Sequence, residues 1–353
     1  MYLAIKEILH EKLRYGLIIG MISLIIFLIY VMTSVAIGLA GENTQAIDGW
    51  NVQSITMDKS VNLNLSQSSV QKSDIPSNMF AKENSVIGQI PTIVRSKGRK
   101  TISSMFFGIN QNQFLYKNLA VQSGGKFTKS NAVVVDSSFH DNGYQLGDKI
   151  KINDYKKEFT IVGFSNNQKF NVAPALYGTL SAWRDLHGYP STFAGSAVLS
   201  KKNSLKLKSS NYKSYSIQTF INKLPGYSAE NSTFIFMIVF LMIISLILIA
   251  VFLYILTIQS LPVYAVLRAQ GIPAKKLSYS VFSQSVILIL AGIFFGAILT
   301  AILNTVMPQG IPVKYDFPLL LSVSLGILIM GLIGAFIPAQ KISHVDPIQG
   351  IGG

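Results

Sequence analysis

Four stretches of this chain, residues 16–39, 232–257, 281–303 and 317–338, contain no Asp, Glu, Lys or Arg. A helix of about 20 apolar residues is long enough to cross the hydrocarbon core of a bilayer. Lipid offers no partner for a peptide group, so such runs must close their own hydrogen bonds as helices. Charged residues make up 13% of the 353 positions, against about 25% in soluble domains. The expected fold is that of a membrane protein, α-helical with four transmembrane helices. A large α+β extracellular domain, residues 40–231, separates the first helix from the second.

The basic residues beside the spans set the orientation, because Lys and Arg near helix ends favour the cytoplasm. Segment 1–15 carries Lys6, Lys12 and Arg14, and loop 258–280 carries Arg268, Lys275 and Lys276. Loop 304–316 has only Lys314. Segments 1–15, 258–280 and 339–353 are therefore assigned to the cytoplasm, and 40–231 and 304–316 to the outside. Long loops cross regardless of charge, so the 22 Lys/Arg against 12 Asp/Glu in 41–231 are no obstacle. The first apolar run is longer than the roughly 7–15 residues of a signal-peptide core, and it is expected to stay as an anchor. The chain has no cysteine, which excludes disulfides and thiolate metal sites.

Within the large polar block the patterning is mostly that of short strands. "NAVVVD" (131–136) is a β-branched run followed by a helical "SSFHDNGY", and 145–164 reads as a hairpin in which Ile150 and Ile152 alternate with Lys. "PALYGTLSAW" (174–183) reads as a strand running into a helix. The Ser-, Lys- and Asn-rich stretches 59–78 and 200–215 are expected to be loops or exposed helix faces. The basic excess fits either a solvated lysine face or attraction of an anionic ligand. Nucleic acid is not an expected partner.

Several chemistries are missing. His10, His140, His187 and His344 lie far apart, and no metalloprotease or nucleophile-elbow motif occurs. "GYQLGDK" (143–149) lacks the glycine spacing and the Ser/Thr of a phosphate loop. The spans hold no ionisable acid or base of the kind that ion-coupled transporters use. The chain is therefore not expected to be an enzyme, to bind ATP or to hold an intrinsic cofactor.

Between the second and third spans lies "LPVYAVLRAQGIPAKKL" (261–277). Ser260 can cap a helix, Pro262 suits a first turn and Gly271 can end it in a left-handed conformation. Val263, Val266 and Leu267 are expected on one face, with Arg268 near the C-terminus, where the helix dipole favours a cation. Pro273 should end this short surface helix before Lys275 and Lys276. Gly292 and Gly296 form a GxxxG in the third span, open to reading as a close-approach face or as ordinary membrane glycine usage.

"PVYAVLRAQGIPAKKL" and the C-terminal "PAQKISHVDPIQGI" resemble the corresponding segments of FtsX/MacB-type ABC transporter permeases. "VVVDSSFHDNGYQLGDKIKI" resembles their outer domain. The family implies a coupling helix at Val263, Val266, Leu267, Arg268, Gly271, Lys275 and Lys276. It docks on a separate cytoplasmic ATPase, present in two copies and binding the ATP, while a second copy of the permease completes the unit. The charged pair often found before "VLRA" is absent here. Within the family, the N-terminal "YLAIKEILHEKLRYGLIIGMISLIIFLIYVMTSVAIGLAGENTQAID" is similar to the haem-efflux permeases of Gram-positive bacteria. The resemblance implies a multi-pass cell-membrane protein that moves haem outward as its transported substrate. Export of antimicrobial peptide, lipid or lipoprotein is the alternative, as is an FtsX-like regulator of a cell-wall hydrolase that moves nothing.

Haem iron accepts Met, His, Tyr or Cys ligands in an apolar pocket. The resemblance points to Met32 and Glu230 as ligands, with Tyr227, Glu42 and Tyr177 as further candidates. Met32 can equally be a packing or lipid-facing residue, Tyr227 an interfacial anchor, and Glu42 and Glu230 the first solvated charges beyond the bilayer.

Overall fold

The computed structural model describes residues 2–76, 79, 83–307 and 311–343. The expected "DP" ending of the tail, Asp346-Pro347, lies outside the described residues. The chain divides into two compact units, one of residues 1–38 with 231–353 and one of residues 39–230.

The first unit is helical. It comprises α1 (Tyr2–His10) and the spans α2 (Lys12–Trp50), α7 (Tyr227–Ala269), α8 (Ala274–Val306) and α9 (Phe317–Ser343), α2 and α7 each continuing into the other unit. These four are the helices long and apolar enough to cross a membrane among the described residues. The intervening helices are α3 (Phe114–Asn118), α4 (Ser138–Asp141), α5 (Leu180–His187) and α6 (Ile217–Asn222). Tyr15, Ile18, Ile22, Ile26 and Ile29 recur at helical spacing along α2 and are buried with Ile249, Leu253, Leu288 and Ile289. The GxxxG of α8 meets this stripe. A Cβ at Gly292 would lie 2.4 Å from Ile22 Cγ2, and one at Gly296 would lie 2.9 Å from Ile26 Cγ2. Only glycine lets the two backbones approach so closely. Gly331 of α9 does the same for Ile289, whose Cδ1 would lie 2.1 Å from an added Cβ.

The inserted domain is built on a mixed sheet. Its strands are β1 (Ser54–Asp58), β2 (Val70–Gln71), β3 (Asn84–Arg95), β4 (Ile102–Ile109), β5 (Ser123–Gly124), β6 (Ala132–Asp136) and β7 (Lys149–Ile152). The chain continues with β8 (Phe159–Ser165), β9 (Lys169–Phe170), β10 (Ala173–Thr179), β11 (Phe193–Gly195), β12 (Ala197–Ser200) and β13 (Tyr212–Ser216). The main sheet runs β13-β1-β12-β3-β4-β10-β6-β8-β5, with β10 parallel to β4 and β6 parallel to β8. Strand alternation gives it two cores. Phe107 and Val134 point into a cluster with Trp50 and Phe170, whereas Phe106, Val133 and Val135 point into a cluster with Phe139, Phe159 and Trp183. The expected strand at 131–136, the hairpin formed by β7 and β8, and the strand-to-helix run of β10 into α5 are all present.

Two expectations need correction. Residues 212–216 form an edge strand with five residues in register against β1, not a loop. Tyr212 and Ser214 share one face of this strand and Lys213 and Tyr215 the other, so neither face is uniformly apolar and the period of two is hidden. The stretch 260–271 is not a separate capped helix. Ser260 and Pro262 lie inside α7, which continues unbroken to Ala269. A proline costs an interior helix one hydrogen bond, and α7 continues past that missing bond.

Candidate functional site

The ending of α7 is built as the sequence suggests. Gly271 takes a φ of 89°, the left-handed conformation that costs glycine least. The Ile272 N–H donates to the Leu267 carbonyl at 3.1 Å and the Gly271 N–H to the Arg268 carbonyl at 2.9 Å. This paired arrangement closes the last turn, with a hydrophobic contact across it. Leu267 and Ile272 provide that contact, packed against Tyr264, Leu277, Val281 and Ala339. Pro273 precedes the first residue of α8.

Of the coupling candidates, Val263 and Val266 are exposed at 57% and 45%, while Leu267 turns inward. These three therefore differ in exposure: Val263 and Val266 stay on the outside of α7, while Leu267, at the edge of the same arc, packs with Tyr264. Gly271, Lys275 and Lys276 are exposed, and Arg268 is half-buried.

Sequence reasoning missed what stands behind this segment. Glu7 of α1 accepts hydrogen bonds from the Tyr264 hydroxyl at 3.4 Å and from the Gln284 side-chain amide. Tyr264 and Gln284 are 1% and 3% exposed. Burial pushes the Glu7 carboxyl above the usual carboxylate range, and the two donors oppose that shift. One carboxylate thus joins α1, the end of α7 and α8. The available signal was a lone Glu on an otherwise apolar face, "YLAIKEIL".

The residues suggested for haem fall in both units. In the inserted domain, α2 and the start of α7 meet at a polar cluster. The Asn43 side-chain amide donates to Glu230 Oε2 at 3.2 Å and to the Leu39 carbonyl at 3.1 Å. Glu230 is exposed and sits in the first turn of α7, where the helix dipole favours an anion. Tyr227, at the first position of α7, packs half-buried against the core around Trp50. Glu42 is ion-paired with Lys169 of β9. Neither Asn43 nor Lys169 carries a local sequence signal, because each gains its role from residues more than a hundred positions away. Met32 belongs to the helical unit and is half-buried on α2.

Tyr177 does not suit a ligand role. It is 1% exposed, stacks on Phe107 at 5.6 Å between ring centroids and donates its hydroxyl to Gln168 Oε1 at 2.7 Å. Burial holds that hydroxyl above the ordinary phenol range, so it keeps its proton. Placing iron there would require opening the core.

Four apolar helices, a mixed-sheet domain inserted after the first, and a glycine-terminated turn between the second and third describe a multi-span membrane protein with a large inserted domain. The family models agree: residues 15–203 match the MacB-like periplasmic core domain and residues 235–347 the FtsX-like permease C-terminal region. The chain belongs to the MacB/FtsX-type ABC transporter permeases, a multi-pass cell-membrane family whose membership implies an ATPase partner.

Similar proteins span the whole length. A Staphylococcus haemolyticus protein named "Putative hemin transport system permease protein HrtB" is 26% identical over 100% of this chain and 99% of its own. A protein of the same name from Staphylococcus epidermidis is 25% identical over the same shares. Among solved structures, the periplasmic region of MacB from Actinobacillus actinomycetemcomitans gives a TM-score of 0.36 at 16% identity. That match covers 49% of this chain and 92% of that one. The extracellular domain of the Gram-positive ABC-type transporter YknZ gives 0.33 at 16% identity, covering 43% and 83%. The family assignment rests on the sequence matches.

Proposed function

We propose that this permease exports haem from the membrane to the outside. It works as a homodimer beside two copies of a cytoplasmic ATPase that bind the ATP. The observation that carries the reading is full-length similarity to permeases named for hemin transport. Glu230, held by Asn43 in the first turn of α7, supports it as the best-presented ligand in the inserted domain. Met32 is the proposed second ligand and Tyr227 an apolar neighbour. Glu42 serves to hold Lys169, and Tyr177 is left out. The basic residues of segments 1–15 and 258–280 support a cytoplasmic location for both, with the inserted domain outside.

Mechanical drive follows from the continuity of α7. ATP-driven closure of the ATPase pair pushes on Val263, Val266, Lys275 and Lys276. Because the segment around Pro262 is part of α7 and not a hinge-linked helix, the push moves the span itself. The long apolar stripe of Ile235, Val239, Ile243, Ile247 and Val251 is exposed along α7. It supports contact with lipid or the second copy.

The test is growth in hemin. Cells expressing the chain with its ATPase partner should tolerate hemin, and cells carrying Met32→Ala with Glu230→Ala should not. Equal tolerance at equal membrane abundance would remove the ligand assignment.

A further inference from the structure

The inserted domain holds a cavity of about 510 Å³, and none of the residues proposed for haem lines it. Its size falls within the range of about 300–1,000 Å³ typical of small-molecule sites. Ile75, Val86 and Leu180 supply an apolar floor. The polar groups on its wall belong to Lys72, Arg184, Gln113 and Asn110, together with Asn112. No Asp or Glu lines it among the described residues.

These polar groups are oriented as donors. Gln113 is 7% exposed, and its Oε1 accepts from the Val86 N–H at 2.7 Å and from the Ser85 hydroxyl at 3.0 Å. That fixes the amide, leaving Nε2 without a hydrogen-bond partner among the described residues. Asn110 spends its Oδ1 on the Asn112 N–H at 3.0 Å, so it too offers an NH₂ group. Arg184 is steadied by one hydrogen bond, to the Phe193 carbonyl at 3.3 Å. Neither Arg184 nor Lys72 has a carboxylate partner among the described residues. Two cations and two amide donors around an apolar floor complement an anionic head on an apolar body, because hydrogen bonds to a charged acceptor are the stronger ones.

We infer that this cavity binds an amphiphilic carboxylate. The planar fork of Arg184 and the fixed Gln113 amide take the carboxylate oxygens, Lys72 adds charge at the rim, and the apolar body lies over Val86 and Leu180. A fatty acid and a porphyrin side-chain carboxylate share this chemistry.

The experiment is equilibrium dialysis of radiolabelled octanoate against the full chain in lipid nanodiscs, with empty nanodiscs subtracted. Saturable binding is expected, and octanol should not displace it. Gln113→Glu keeps the acceptor for Val86 but replaces the free donor with an anionic oxygen. Lys72→Glu reverses an exposed charge without touching the core. Each should weaken octanoate binding by about tenfold or more, as loss of a charge-assisted hydrogen bond does. Displacement by protoporphyrin IX would identify a porphyrin as the source, and displacement by palmitate alone would identify a fatty acid. Should Gln113→Glu fail to fold, Lys72→Glu decides. No saturable binding, equal displacement by octanol, or unchanged affinity in Lys72→Glu would overturn the inference.

Discussion

The inserted domain and the helical unit bury their apolar residues by opposite rules. The domain uses strand alternation to sort large side chains to two sides of one sheet. Phe106 and Phe107 are neighbours in sequence and members of different cores. The helical unit instead gains contact by removing side chains. Gly292, Gly296 and Gly331 admit Ile22, Ile26 and Ile289 to backbone distance. In water the apolar surface itself drives packing. In lipid the surrounding chains are equally apolar, so only closeness of fit distinguishes a neighbouring helix from solvent.

Substitutions should separate these rules. The largest loss is expected at Trp183, which is fully buried and donates its ring N–H to the Gln89 carbonyl at 3.2 Å. Trp183→Ala should cost about 3–5 kcal/mol of domain stability, read by chemical denaturation followed by fluorescence of the remaining Trp50. Next comes Gly292→Leu, which drives a side chain into Ile22. It should cost about 1–3 kcal/mol, read as a lower melting midpoint in nanodiscs, with the fluorescence of the inserted domain unchanged.

Glu7→Ala leaves the Gln284 amide and the Tyr264 hydroxyl without their acceptor, at a cost of about 1–3 kcal/mol. Its distinctive readout is uncoupling, with ATPase turnover of the complex retained while transport falls. Glu7→Gln tests the charge alone. The folded protein holds the Glu7 proton more tightly than the unfolded chain does. Stability from this site is therefore greatest at low pH and declines as pH rises from the ordinary glutamate range through the raised value. Glu7→Gln should abolish that decline, and a wild-type slope retained in the variant would contradict the assignment. The smallest effect is expected from Lys202→Ala. Its pair with Glu83 is exposed at both side chains, and such surface bridges contribute about 0–1 kcal/mol.

Much of the frame was legible because its signals are local. The spans declare themselves by the absence of charge, β6 by its valine run, and the end of α7 by Gly271 and Pro273. What escaped was non-local. Proline statistics placed a helix start at Pro262, but a helix already propagating from Tyr227 carries through it. Edge strand β13 owes its existence to pairing with β1, more than 150 residues earlier. The Glu7 network joins three helices through residues 7, 264 and 284, and no window of sequence contains them together. Tyr177 looked like an available phenol because only the fold shows it sealed beneath Phe107.

Hemin titration of the purified chain tests the proposed cargo most directly. Wild-type protein should develop a saturable Soret band, and Met32→Ala with Glu230→Ala should shift and weaken it while Tyr177→Phe leaves it intact. A Soret band unchanged in the double variant, or lost only in Tyr177→Phe, would contradict the proposed haem site.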